Sequence, residues 1–225
     1  MALLLPQKIE DQNVYKKHTV GRGHGLFASQ DLHLRSQIML VARPLLMALD
    51  TAQLKSYCDC CFISAVDTVL SPDSGGVQTL KRCTGCRVLR FCSKVGMELS
   101  GLSTGTTRML TRTQECQRRA WSQYHKLECK IYAAQPGVLP TLNRAILRLL
   151  KQQDTGIIPG GEWEELLTLQ DHFEEHMQVG GRRWQDLLLM AKKLQVDSGG
   201  KRNLETILRL VCLVSAYLQS TSPRS

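Results

Sequence analysis

The sequence predicts an α+β fold in which a small cysteine-rich module sits between a short β-rich N-terminal segment and a helical C-terminal region. Three observations carry this. Eight of the nine cysteines lie between Cys58 and Cys129, and only Cys212 falls outside. Upstream, residues 37–49 are apolar and β-prone with Pro44 as an interruption, the pattern of short strands. Downstream, Leu142, Ala145, Ile146, Leu149 and Leu150 recur at helical spacing. The expected organisation is therefore residues 1–52, 58–129 and 131–218 for the three parts, with a polar tail at 219–225.

A chain of 225 residues is long enough to bury a core, and its 43% hydrophobic and 22% charged content is that of a globular protein. The net charge of +9 fits nucleic acid, an acidic peptide or plain solubility, and alone selects none of them. The N-terminus, MALLLPQKIEDQ, has an apolar run too short for a signal peptide. The most apolar stretch, 204–218, is interrupted by Glu205 and Arg209, so no membrane span is expected. A soluble protein of the nucleus and/or cytoplasm follows. In a reducing compartment clustered cysteines serve as metal ligands or buried thiols rather than disulfides.

Taken in order, Gly21, Gly23 and Gly25 in "GRGHGLFA" allow a tight turn or a close approach to a ligand; a plain hairpin turn is the simpler reading. Cys58-Asp-Cys-Cys61 and Cys83-Thr-Gly-Cys86 then form two C-x2-C pairs, a spacing that lets both thiolates reach one zinc ion. Cys92 and Cys116 follow. His125-Lys-Leu-Glu-Cys129 is an H-x3-C pair that one helical face can present. Cys58, Cys61, Cys83, Cys86, Cys92, Cys116, His125 and Cys129 make eight ligands, enough for two tetrahedral sites. Cys60 is left over; it could exchange with Cys61, although the C-x2-C spacing favours Cys61.

Between Cys92 and Cys116 the chain is Gly-, Ser- and Thr-rich over residues 95–114, without helical or strand period. This segment reads as a retained intron in the gene (Val codons open on GT, Gln can be CAG) or otherwise as a disordered loop. Metal binding tolerates either. The longer loop costs about 2 kcal/mol in closure entropy, against about 10–16 kcal/mol from a structural zinc. Beyond the cysteines, 163–178 and 183–194 read as helices separated by Gly180-Gly181, and 204–218 as a last helix with Cys212 as a core thiol. His172-Phe-Glu-Glu-His176 matches the H-x-x-E-H protease pattern but has no evident third ligand, so a solvated helix is expected.

With residues 95–114 removed, the text reads FCSKECQRRAWSQYHKLEC. Together with the two C-x2-C pairs it resembles the MYND zinc finger. That resemblance implies interleaved sites: one zinc on Cys58, Cys61, Cys92 and Cys116, another on Cys83, Cys86, His125 and Cys129. It also implies that Gln117 and Trp121 hold proline-rich peptides or proteins, although Trp121 could equally be packing. The glycine turn before an "RPL" strand resembles the first half of a SET domain, and the chain as a whole resembles the SET-and-MYND protein lysine methyltransferases. In that family the turn meets S-adenosylmethionine, so Arg22, Gly23, His24 and Gly25 are the implied cofactor contacts. The helical region resembles the family's insert, but the catalytic second SET half is not found. Catalytic residues are therefore none, and a methyltransferase acting on histone or other protein substrates is implied only for a full-length form. A third reading, nucleic-acid binding through Lys81, Arg82, Arg87, Arg90, Arg118, Arg119 and Lys126, lacks a base-reading helix and is not expected. The reading favoured by the sequence is a two-zinc protein-interaction module.

Overall fold

The computed structural model describes residues 2–3, 13–20, 23–36, 38, 44–64, 79–93 and 115–220. The expected insertion at 95–114, Arg22 and the end of the polar tail lie outside the described residues. Three two-stranded antiparallel sheets are described. β1 (Ala2–Leu3) pairs with β4 (Leu46–Met47), after β2 (Val14–Thr19) and β3 (Gly23–Ala28) have formed a hairpin with Tyr15 opposite Phe27. β5 (Thr79–Arg82) and β6 (Arg90–Ser93) form the third, inside the cysteine module.

Helices follow. α1 (Glu115–Ala120) passes through a π-helical turn, Trp121–His125, into α2 (Lys126–Ala134). α3 (Thr141–Asp154), α4 (Gly160–Leu167), α5 (Phe173–Val179), α6 (Gly181–Ser198) and α7 (Leu204–Ser220) complete the chain. The expected single helix over 163–178 is two helices. α4 ends at Leu167, and Asp171 then opens α5 by accepting the Phe173 N–H at 3.0 Å, with His172 in left-handed backbone at φ 55°. A short Asx cap of this kind restarts a helix without any Gly or Pro to announce the break. No described helix is long and apolar enough to cross a membrane.

α3 organises the rest. Every residue from Asn143 to Leu150 is buried, so the helix is covered on all sides rather than along one stripe. Its apolar side packs on α6 and α7; elsewhere it meets α2, the π turn and β4. The apolar stripe was legible in the sequence, whereas the two arginines beside it, Arg144 and Arg148, are buried against expectation for such residues. Arg144 is held by two carbonyls, Nε donating to Leu139 O at 3.1 Å and Nη2 to Leu49 O at 2.6 Å, while its buried Nη1 has no hydrogen-bond partner among the described residues. The cysteine module contributes Leu89, Phe91 and Ala120 to the same contiguous core as Leu147, Leu149 and Val214.

Because Leu149 is fully buried, Leu149→Ala should lower unfolding free energy by about 2–5 kcal/mol. Val196→Ala, on the exposed side of α6, should stay within about 0.5 kcal/mol of the parent. Urea denaturation followed by circular dichroism compares the two, and similar losses would contradict the placement of α3 at the centre.

Candidate metal centres

Two tight turns with the same backbone present the first four cysteines. After Cys61 and after Cys86 the chain enters left-handed backbone, at Phe62 and Arg87, both with φ 57°. In each turn that residue's N–H donates to the carbonyl of the first cysteine at 2.9 Å, Phe62 to Cys58 and Arg87 to Cys83. N–H groups within each turn also meet the first sulfur: those of Cys60 and Cys61 at Cys58, those of Gly85 and Cys86 at Cys83. Two residues beyond the start of each second sulfur the pattern repeats, with Ile63 N–H on Cys61 and Val88 N–H on Cys86 at 3.4 Å. Donors of this kind favour the thiolate, which is the metal-binding form. Gly85 makes the second turn possible, since a Cβ there would stand 2.9 Å from Cys129 Sγ.

The β5–β6 hairpin carries the second turn at its tip and brings Cys92 back to the first turn, where the Asp59 N–H donates to Arg90 O at 2.9 Å. The helical stretch supplies the remaining ligands. About 100° per residue in an α-helix would set positions nine apart on opposite faces, and Cys116 and His125 are nine apart. The wider π turn between them swings His125 inward, where it and Cys129 face the same centre. π turns recur at functional sites for this reason.

The result is two groups, Cys58, Cys61, Cys92 and Cys116, and Cys83, Cys86, His125 and Cys129. Within each group the ligand atoms lie within 4.8 Å of one another. Cys61 Sγ is 3.6 Å from Cys92 Sγ, which is 3.5 Å from Cys116 Sγ. Cys83 Sγ is 3.8 Å from Cys129 Sγ, and His125 Nε2 is 3.1 Å from Cys83 Sγ and 3.7 Å from Cys86 Sγ. Four ligands about 2.3 Å from a tetrahedral ion stand about 3.8 Å apart. Donor chemistry, number and spacing thus fit zinc at both centres, with four protein ligands each as in structural sites.

The electrostatics favour a cation. Burial alone would raise Cys83, but the N–H groups of its turn and the His125 ring bring its pKa down to about 6. Cys58 is likewise lowered, against burial, by its turn N–H groups. The other thiols are pushed up, first by burial and then by thiolate neighbours: Cys61 and Cys116 to about 11 and Cys129 to about 12, with Cys92 also raised. A divalent ion offsets the mutual repulsion that keeps four clustered thiols from ionising together. Burial works against charge on His125, yet Cys86, Glu128 and Cys83 raise its pKa to about 10.

Several participants were missed by sequence reasoning. Glu128 is fully buried beside His125, with Oε1 3.7 Å from Nδ1. Arg148 grips Glu128 through both oxygens, Nη2 to Oε1 at 2.7 Å and Nε to Oε2 at 3.1 Å. Asp59, inside the first C-x2-C turn, accepts from Arg148 Nη2 at 3.1 Å and from the Tyr124 hydroxyl at 3.0 Å. Burial raises Asp59, whereas Arg148 overrides burial at Glu128 and keeps that carboxyl low. The available signal was a carboxylate placed between or beside ligands, at Asp59 and at Glu128.

The remaining expected residues are dispersed. Cys60 stays outside both groups, half-buried, with its thiol beside Cys116. Gln117 and Trp121 lie one turn apart and exposed, Trp121 edge-on to His125 with ring centroids 5.7 Å apart. Gly23, His24 and Gly25 are in β3, paired with Thr19, His18 and Lys17. Lys81, Arg82, Arg87, Arg118, Arg119 and Lys126 are exposed, and Arg90 half-buried. His172 Nδ1 is 3.1 Å from Glu175 Oε2, and neither His172 nor His176 belongs to a metal-grade group among the described residues. Cys212 is buried in α7, and burial pushes its thiol up to about 11. No protein-family profile matches the chain, and no curated protein matches it.

Native mass spectrometry should show two zinc ions per chain. Cys60→Ser should keep both, and Cys83→Ser should lose one, since zinc binding supplies much of the folding free energy of such a centre. Loss of a zinc from Cys60→Ser, or retention of two in Cys83→Ser, would contradict the grouping.

Proposed function

We propose that this chain is a two-zinc finger of the MYND type, flanked by a SET-like N-terminal segment and a helical insert, and that it works as a protein-interaction module. The observation that carries the reading is the alternation of ligand pairs along the chain. The first and third pairs share one group and the second and fourth the other, the interleaving that the resemblance implies. The twin turns and the closed four-ligand sets support structural zinc rather than catalytic zinc, which keeps an open position.

The interaction surface centres on Trp121. Its ring makes a T-shaped contact with His125, a candidate ligand of the second centre, and the residue is 48% exposed. Gln117 stands one helical turn away and exposed. A rigid aromatic with a polar neighbour suits proline-rich segments, whose extended backbone docks against aromatic surfaces and accepts hydrogen bonds from side-chain amides. Nothing among the described residues favours the methyltransferase or nucleic-acid alternatives over this one.

Titration of the zinc-loaded chain with a panel of proline-rich peptides should identify a binder by tryptophan fluorescence or calorimetry. Trp121→Ala should weaken that binder by about 30-fold, the effect of losing an aromatic anchor, while both zinc ions remain. Absence of any binder, or a binder indifferent to Trp121→Ala, would refute the docking role and leave the zinc assignment standing.

A further inference from the structure

We propose that Glu128 is a positioning residue for the second metal centre, and that Arg148 of α3 holds it there. Loading of the Cys83, Cys86, His125 and Cys129 centre and seating of the finger on the helical region then stabilise one another. The inference rests on the zinc reading of that cluster.

The geometry begins at the imidazole. His125 Nε2 faces sulfur, 3.1 Å from Cys83 and 3.7 Å from Cys86, so Nε2 is the metal-facing nitrogen. Nδ1 then carries the proton, and it is buried without a hydrogen bond, with Glu128 Oε1 3.7 Å away. A ligating histidine needs an acceptor at its second nitrogen to fix the ring and keep the tautomer. Glu128 is the carboxylate in position to serve.

Glu128 does not set its own position. Both of its oxygens are taken by the Arg148 fork, and Arg148 is itself fixed from several directions. Nη1 donates to Met47 O at 2.7 Å, Nη2 to Asp59 Oδ2 at 3.1 Å, and the guanidinium lies 3.8 Å from the centre of the Tyr124 ring. Met47 belongs to β4, Asp59 to the first metal turn and Tyr124 to the π turn. A single cation from the helical region therefore ties the acceptor of a metal ligand to three other segments. If the fork is lost, the carboxylate is free to leave Nδ1, and the ring loses its orientation. By linkage, whatever Arg148 contributes to metal affinity the metal returns to the docking of α3.

The experiment uses the full chain loaded with zinc, and in parallel with cobalt(II), whose absorption distinguishes a three-sulfur, one-nitrogen centre from a four-sulfur one. Glu128→Gln keeps size and an acceptor oxygen but loses the charge; Arg148→Lys keeps the charge but loses the fork. Glu128→Gln should weaken one of the two ions by about 10- to 100-fold in competition with a chelator, leave the other unchanged, and shift the absorption bands of the three-sulfur centre alone. Arg148→Lys should weaken the same ion to a like extent and, because its Nη2 also holds Asp59 in the first metal turn, the other ion by less. The double variant should lose no more than the worse single variant, because both act through one link. Glu128→Gln decides the matter if Arg148→Lys does not fold. Variants that melt earlier yet hold both ions with parental affinity and unchanged cobalt bands would overturn the proposal. A parent chain that never holds a second ion would overturn the zinc reading, and this inference with it.

Discussion

Arg148 of α3 sits where α2, β4, the first metal turn and the π turn meet. Its guanidinium is buried among Glu128, Asp59, the Met47 carbonyl and the Tyr124 ring. Removing such a cation from water costs several kcal/mol even after relaxation, a cost that ideal partner geometry only just offsets. The arrangement therefore stands only while its acceptors are held still. Two of those acceptors lie between candidate metal ligands: Asp59 between Cys58 and Cys61, and Glu128 between His125 and Cys129. Breaking the set by removing one partner leaves an uncompensated charge, worth about 3–5 kcal/mol in comparable cases. The ion cluster gives specificity of docking more than net stability.

The two halves joined at this point are stabilised by different means. The helical region has an ordinary apolar core, with Leu166 of α4, Leu194 of α6 and Ile207 and Val211 of α7 fully buried. The described strands of the finger are only four residues long. Ligand bonds to zinc at the two candidate centres would take the place of a core there. Their free energy, about 10–16 kcal/mol for a structural zinc, exceeds what short hairpins and one-turn loops can supply. Buried apolar residues of the finger such as Leu89, Phe91 and Ala120 belong to the same contiguous core as the helices instead of forming a separate one.

How much of this could be read in advance depends on how local the physics is. The C-x2-C pairs were legible because a thiolate pair needs a fixed turn, and the same rule placed Cys61 rather than Cys60 in the first group. The α3 stripe was legible because burial against α6 and α7 imposes a helical period. Arg144 and Arg148 were not, since periodicity counts arginine as exposed. What buries Arg148 is a partner 89 residues away at Asp59 and another 101 away at Met47. The break between α4 and α5 was missed because an Asx cap at Asp171, rather than a Gly or Pro, produces it. The π turn has no sequence mark of its own; it is the solution that lets Cys116, His125 and Cys129 reach two different groups from one helix.

Hydrogen exchange on metal-loaded and chelator-stripped protein tests the coupling of finger and helices most directly. Stripping should remove protection from the finger amides and lower it at the α3 amides around Arg144 to Arg148, more than in α6 and α7. Exchange in α3 that is the same with and without metal would contradict the account, because the helix would then hold its place without the acceptors that the metal centres keep in position.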